Sequence, residues 1–187
     1  EQAHFTLALE GPSYRDDDIY TAQIYSIALG GGMSSRLFQE VREKRGLCYT
    51  IFAQAGAYSD TGLTTIYAGT SDAQIGELAN ITIDELKRAA DTLSQAELDR
   101  ARAQMKAGLL MGLESASNRA ERLARMVQIW GKVPNLEETV ARVDAVDLDK
   151  LRTYAQSVAS SAKMATALYG PIAAAPDLSA LEARRAA

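Results

Sequence analysis

The chain has 187 residues, of which 47% are apolar and 24% are charged, and its net charge is −4. This length is enough for one domain with a substantial core, and the weak negative charge excludes a global basic field that would favour nucleic acid. No apolar run approaches the roughly 20 residues that cross a bilayer. No signal peptide is visible, and the single cysteine, Cys48, cannot form an internal disulfide. We therefore expect one domain without a membrane span or a nucleic-acid partner, and we expect it in the cytoplasm.

The first part of the chain is predicted to form a strand, two helices and a hairpin, over residues 4–11, 16–29, 34–45, 48–57 and 63–69. Phe5, Leu7 and Leu9 share one face of the first strand because side chains alternate along a strand. Three consecutive glycines from Gly30 end the first helix, and Gly46 is a natural end for the second.

The second part is predicted to be a block of helices before a late strand, over residues 72–91, 95–113, 117–130, 136–144, 148–159 and 163–169. Ser94 and Glu97 have the spacing of a capping box, and Asp147 is placed to cap the last helix of the block. Segregated strands and helices indicate an α+β domain, with helices on one face of a mostly antiparallel sheet. We place this domain at residues 1–171 and expect a partly disordered tail over 172–187.

The metal-binding inventory is poor. A zinc site needs three or four His, Cys, Asp or Glu ligands, and catalytic sites usually include histidine. His4 is the single histidine, and neither H-E-x-x-H nor the inverted H-x-x-E-H occurs in the sequence. We predict no zinc site within this chain and interpret His4 as a structural strand residue.

Two other kinds of site are open to this sequence but are weaker interpretations. Cys48 and His4 could form a nucleophile and base pair, although a lone cysteine is more often a small buried apolar residue. Gly30–Gly32 could hold a phosphate at a helix start. The spacing matches neither nucleotide motif and the glycines follow a predicted helix, so a tight connection between two helices is favoured.

Arg42 and Tyr49 are the remaining candidates. Arg42 falls in the last turn of the second helix, Gly46 permits the chain to reverse, and Tyr49 begins the next strand. A guanidinium and a phenol that converge on one carbonyl would stabilise an oxyanion or fix a peptide group. From the residues alone, a solvated helix end and a half-buried strand aromatic remain the stronger interpretation.

The segment G-G-G-M-S-S-R-L-F, followed by E-x-R-E-x-R-G-L-x-Y, resembles a signature of a peptidase family. It is that of the carboxy-terminal half-domain of the inverted zinc peptidases related to pitrilysin, insulysin and the mitochondrial processing peptidase (peptidase M16). The opening strand EQAHFTLALEG and the closing strand MATALYGP are similar to the corresponding parts of that half-domain. The resemblance covers nearly the whole chain up to about Pro171.

This resemblance implies a division of labour between two half-domains around a peptide chamber. The first half would carry the inverted motif and bind zinc, so the lack of a metal motif here is expected. The second half would supply an arginine and a tyrosine seven residues apart, which match Arg42 and Tyr49. The tyrosine would donate to the carbonyl oxygen as it becomes an oxyanion, while the arginine holds the substrate backbone.

The resemblance also implies the partners of the chain. We expect an N-terminal zinc-binding half-domain on the same or a separate polypeptide, a peptide substrate and a tendency to pair or to form a homodimer. The isolated chain should not hydrolyse peptides. The alternative is a non-catalytic scaffold or binding paralogue of the same family, which the presence of both Arg42 and Tyr49 disfavours.

Overall fold

The structure is a computed structural model that describes residues 2–160 and 162–187. Glu1 and Ser161, which belong to the predicted domain at 1–171, lie outside the described residues.

A four-stranded antiparallel sheet organises the described part of the chain. Its strands are β1 (Ala3–Gly11), β2 (Cys48–Ala57), β3 (Gly62–Thr70) and β4 (Met164–Tyr169), in the spatial order β2-β3-β1-β4. Each strand lies within one residue of its predicted bounds. The hairpin between β2 and β3 closes where the Tyr58 amide donates to the Thr61 carbonyl at 2.7 Å. The predicted α+β class and antiparallel sheet are confirmed.

The described ranges also contain seven α-helices: α1 (Ile19–Gly30), α2 (Asp72–Thr92), α3 (Gln95–Gly112), α4 (Ala116–Trp130), α5 (Leu136–Asp144), α6 (Leu148–Ser160) and α7 (Leu178–Ala186). The capping box predicted at the start of α3 is present, because Ser94 and Glu97 bond reciprocally. The Asp147 carboxylate accepts from the Lys150 amide at 2.8 Å and so caps α6.

The helices pack on one face of the sheet. Alternate residues of β1 point to that face, and Phe5, Leu7 and Leu9 are fully buried there. Helix α1 contacts β2 and β3, and α2 contacts β1. The side chains on the opposite face are partly or fully exposed, so this face is open in the structure.

Two segments differ from the sequence prediction. The second helix, predicted as an α-helix over 34–45, is π-helical over Phe38–Glu43. Hydrophobic spacing does not distinguish an i+5 from an i+4 bonding pattern over so short a segment. The tail assigned to 172–187 contains α7, which the sequence analysis missed. Leu181 of α7 is fully buried, so the helix is held by tertiary packing that alanine-rich sequence does not reveal.

Helix α4 is the least integrated element. None of its residues is buried, and Leu123 and Val127 are 40% and 52% exposed. Near the end of α3, Leu110 and Met111 are also exposed, at 50% and 68%. In the part of the chain that the structure describes, no helix is both long and apolar enough to span a membrane.

Candidate active site

The glycine-rich connection after α1 brings the candidate segment against the sheet. A Cβ at Gly30 would lie 2.4 Å from the Ala53 nitrogen, so only glycine lets the end of α1 approach β2 this closely. The Gly31 carbonyl accepts from the Gln104 side chain at 2.6 Å. The cavity between this loop and α3 measures about 10 Å³, which hardly holds one water molecule. These contacts favour a tight connection over a phosphate-binding loop.

The π-helical segment is anchored to α2 through Glu40. The Glu40 carboxylate accepts from Lys44, from Arg45 at 2.7 Å and from Arg88 at 2.9 Å. Its side chain is 8% exposed. Hydrogen bonds from these cations lower the pKa of Glu40 to about 2, so the carboxylate is ionised at neutral pH. A buried carboxylate with several cationic donors fixes the segment that carries Arg42.

A second ion pair fixes the chain just before the π-helix. The Arg36 guanidinium binds both oxygens of Glu97, with Nε–Oε1 and Nη2–Oε2 distances of 2.6 and 2.9 Å. It also donates to the Thr92 carbonyl at 2.8 Å. Both partners are largely buried, and hydrogen bonds from Arg36 and Ser94 outweigh burial and lower the pKa of Glu97. The segment is therefore tied to α2 and α3 at two points.

A sharp reversal joins the π-helix to β2. Gly46 has a φ of +64°, in the left-handed region that favours glycine. Its amide donates to the Arg42 carbonyl at 3.0 Å, and the Leu47 amide donates to the Val41 carbonyl at 3.0 Å. The turn places Tyr49, at the start of β2, beside Arg42, seven positions earlier in the chain.

A β-bulge at the start of β2 exposes Tyr49. The register shifts between Cys48, which pairs with Thr70, and Thr50, which pairs with Gly69. Strict alternation from buried Ile51 would put residue 49 on the helix-covered face, but the extra residue places Cys48 there instead. As a result Tyr49 is 77% exposed.

Arg42 lies between two aromatic rings. Its guanidinium carbon is 4.6 Å from the ring centroid of Phe38 and 4.7 Å from that of Tyr49. Arginine stacks on aromatic faces through its planar, weakly hydrated cation. Phe38 is one turn before Arg42, so the π-helix and the bulged strand each contribute one side of the stack. The structure thus brings together the two residues that the sequence analysis singled out.

The donors of this pair remain open to a ligand. Within residues 2–160 and 162–187, Arg42 has no hydrogen-bond acceptor, and its nearest carboxylate oxygen is on Glu43 at 3.7 Å from Nε. The Arg42 side chain is 32% exposed. Stacking fixes the guanidinium plane without occupying its N–H groups. The arrangement can therefore present N–H and phenol O–H donors to one polar group.

Cys48 and His4 do not form a catalytic pair. Cys48 lies opposite Thr70, and Thr70 opposite Ala3, so all three share the helix-covered face. His4 is on the open face, where its Nδ1 lies 2.8 Å from the Tyr67 hydroxyl. Burial raises the pKa of the Cys48 thiol to about 11, which disfavours the reactive thiolate. Cys48 packs as a small apolar residue.

Metal ligands are not clustered in the described ranges, where no three His, Cys, Asp or Glu side chains are placed to hold an ion. Cavities of about 560 and 530 Å³ lie beside the β2–β3 loop and between α2, α6 and α7. Neither is lined by Arg42 or Tyr49. The candidate pair lies on an open surface and would need another protein surface to enclose a substrate.

Sequence reasoning missed Phe38, Glu40 and Arg88 as supports of the pair. The signal for Glu40 was present locally, since a carboxylate four residues before Lys44 predicts a helix-surface ion pair. The contribution of Arg88 comes from α2 and has no local signal. The stacking of Phe38 depends on the position of Tyr49 after the turn.

Comparison with known proteins gives a consistent picture. A family model described as the peptidase M16 inactive domain matches residues 1–105. Uncharacterised zinc proteases are 36% identical over 159 residues in Streptomyces coelicolor, 35% over 161 residues in Bacillus subtilis and 36% over 175 residues in Rickettsia bellii. These alignments cover 84%, 84% and 91% of this chain.

The chain spans less than half of these relatives, namely 35%, 39% and 42% of their lengths in the same order. The fold also matches a chain in the structure of complex III2 from Candida albicans with Inz-5 bound, at a TM-score of 0.90. That match covers 100% of this chain and 47% of the other at 21% identity, which establishes the similarity of fold alone. On the family match and the agreement of the relatives, the chain belongs to the peptidase M16 family, as the domain that the family description calls inactive.

Proposed function

We propose that this chain is the second half of a zinc-dependent metalloendopeptidase, in which it closes the peptide chamber and supplies Arg42 and Tyr49 to the substrate. The observation that carries the proposal is the stacked pair itself. The Arg42 guanidinium carbon is 4.7 Å from the ring centroid of Tyr49, and neither side chain has a hydrogen-bond acceptor among the described residues.

In this proposal the two residues act at different stages of peptide hydrolysis. The Tyr49 phenol donates to the scissile carbonyl oxygen, and that hydrogen bond strengthens as the oxygen becomes an oxyanion. The Arg42 guanidinium presents two N–H groups to a substrate carbonyl and fixes the peptide in register. Phe38 and Glu40 act through Arg42, because one stacks on it and the other anchors its helix.

Among residues 2–160 and 162–187 no set of side chains fits a zinc site, and in this proposal the metal belongs to the partner half. When bound there, zinc would polarise the scissile carbonyl and supply an activated water. This chain contributes donors and one wall of the chamber. The isolated chain is therefore expected to be inactive.

The exposed apolar surface of α3 and α4 supports association with more protein. Leu110, Met111, Leu123 and Val127 are each at least 40% exposed. Such patches commonly mark interfaces in proteins that otherwise cover their apolar side chains. The relatives' greater length leaves room for a zinc-binding half-domain, which we propose as the partner; a homodimer is the alternative form of pairing.

The experiment is reconstitution. The chain is mixed with the zinc-binding half-domain of the same protein, or studied within the full-length polypeptide, and hydrolysis of a quenched peptide library is measured with metal content. We expect no hydrolysis by the isolated chain, hydrolysis by the assembled protein and its loss on chelation. A zinc-loaded assembly that binds peptides but cleaves none would support the non-catalytic paralogue instead.

A further inference from the structure

The open face of the sheet carries three complete rows of residues that include no Asp, Glu, Lys or Arg. Residues in direct register across antiparallel strands share a face, so each row crosses all four strands. The rows are Thr50-Gly69-His4-Tyr169, Phe52-Tyr67-Thr6-Ala167 and Gln54-Thr65-Ala8-Ala165. None of these residues is Asp, Glu, Lys or Arg, although 24% of the chain is charged. Solvent-facing sheet surfaces usually carry polar and charged side chains, so this face is unusual.

Four aromatic side chains form a continuous surface across the first two rows, which we call the aromatic platform: Phe52, Tyr67, His4 and Tyr169. The ring centroids are 5.3 Å apart for Phe52 and Tyr67, and 6.0 Å apart for Tyr67 and His4 and for His4 and Tyr169. Such separations are those of interacting aromatic pairs. The hydrogen bond between His4 Nδ1 and the Tyr67 hydroxyl fixes the centre of the platform. Its outer members, Phe52 and Tyr169, are 37% and 77% exposed.

The platform lies close to the candidate active site along β2. Tyr49 and Phe52 are three residues apart on this strand, which corresponds to at most about 10 Å at the rise of an extended chain, because the bulge at Tyr49 shortens the strand. An extended peptide covers the same distance in about three residues. A substrate whose scissile carbonyl lies at Tyr49 can therefore place a side chain three residues away over the platform.

We propose that the aromatic platform is a specificity subsite, which binds an uncharged and preferably aromatic side chain of the peptide about three residues from the scissile bond. The inference rests on the proposed function and names its substrate preference. Aromatic rings bind other rings through offset and edge contacts. A carboxylate is disfavoured, because the platform offers it negative ring faces and the three rows contain no Lys or Arg.

The test uses full-length zinc-loaded protein and two series of quenched peptides. One series varies the third residue before the cleaved bond and the other varies the third residue after it, and in each series that residue is Phe, Ala or Glu. In one of the two series, we expect kcat/KM for the Phe peptide to exceed that for the Ala peptide about tenfold, with the Glu peptide lowest. Phe52→Ala should bring the Phe-to-Ala ratio close to one, because Phe52 is the platform ring on the strand that carries Tyr49. Phe52→Leu retains apolar volume and guards against misfolding, and it should lower the ratio partly.

Tyr58→Ala is the matched control, since Tyr58 is an exposed aromatic in the β2–β3 loop, 57% exposed and off the platform. It should leave the Phe-to-Ala ratio unchanged. An unchanged ratio in Phe52→Ala, or an equal loss for all peptides with weaker pairing of the halves, would overturn the subsite and assign the face to the partner half-domain.

A binding measurement separates this inference from the proposed function. Fluorescence anisotropy of the same peptides, labelled, on chelator-treated protein reports affinity without hydrolysis. We expect the Phe peptide to bind about tenfold more tightly than the Ala peptide, and Phe52→Ala to abolish the difference. Selective binding without hydrolysis in the zinc-loaded protein would contradict the enzyme proposal alone. Equal binding of all three peptides would contradict the platform alone.

Discussion

The guanidinium of Arg42 lies 4.7 Å from the ring centroid of Tyr49, and this contact joins a π-helix to a bulged edge strand. Different local interactions hold the two residues in position. Glu40 anchors the helix, whereas Gly46 and the bulge bring the tyrosine back onto it. Substitutions at Glu40 or Gly46 should therefore change the position of Arg42 or Tyr49, although neither of these two residues is replaced.

Arg42→Lys should lower kcat/KM for peptides roughly tenfold in the full-length protein. Lysine keeps the charge but loses the planar fork that stacks between two rings and bonds bidentately. Arg100→Lys, at an exposed position of α3, is the control and should match the wild type. Steady-state peptide hydrolysis measures the effect. Equal kcat/KM values for both variants would contradict a role for Arg42 in binding the substrate.

Glu40→Gln should destabilise the fold by about 2 kcal/mol at neutral pH, because Lys44, Arg45 and Arg88 lose a shared anion while water still reaches the three cations. The folded-state pKa of Glu40 is lowered from 4.5 to about 2. Its stabilisation is therefore complete above pH 4.5 and is lost as the pH falls towards 2. Urea unfolding at several pH values should give a constant gap between wild type and variant above pH 5 and a shrinking gap below 4.5.

Glu121→Gln is the matched control for that experiment, since Glu121 pairs with Arg125 at an exposed position of α4, at 3.0 Å. Exposed pairs contribute between about 0 and 1 kcal/mol. A Glu40→Gln variant that behaves like this control at neutral pH would show that the anchor is unimportant.

Gly46→Ala should destabilise the protein by about 1–2 kcal/mol, because its φ of +64° is strained for a residue with a Cβ. It should also lower activity, since the turn places Tyr49 against Arg42. Gly108→Ala is the control, because Gly108 is inside α3 and an added Cβ meets nothing within 4 Å. That control should stabilise by up to about 1 kcal/mol. Thermal unfolding and peptide hydrolysis measure the two effects, and equal responses would contradict the argument from φ.

Much of the architecture was predictable because it depends on local patterns. Alternation along β1, the capping box at Ser94 and the loop before Gly62 fixed element limits to within one or two residues. The π-helix over Phe38–Glu43 and the bulge at Tyr49 were not predictable, because each changes the bonding pattern by one residue within an unchanged apolar pattern. Helix α7 was missed because its stability comes from burying Leu181 against the core.

The candidate site shows the same division between local and tertiary information. Arg42 and Tyr49 could be named from their spacing and the resemblance to a family signature. The stacking of Arg42 on Tyr49 and the ion pair between Arg88 and Glu40 required the fold, since these contacts join elements separated along the chain. Phe38 is in the same helix as Arg42, but its ring completes the stack only after Tyr49 is in place. The aromatic platform is the clearest case, because its four rings come from four strands and are adjacent only in the assembled register.

The central claim is tested most directly by Tyr49→Phe in the full-length zinc-loaded protein. This change removes one hydroxyl and retains the ring that stacks on Arg42, so it isolates the proposed donor. We predict that kcat falls roughly 100-fold while KM changes little, as expected for a hydrogen bond that is made in the transition state. A kcat equal to that of the wild type, with zinc bound and the fold intact, would contradict the role assigned to Tyr49.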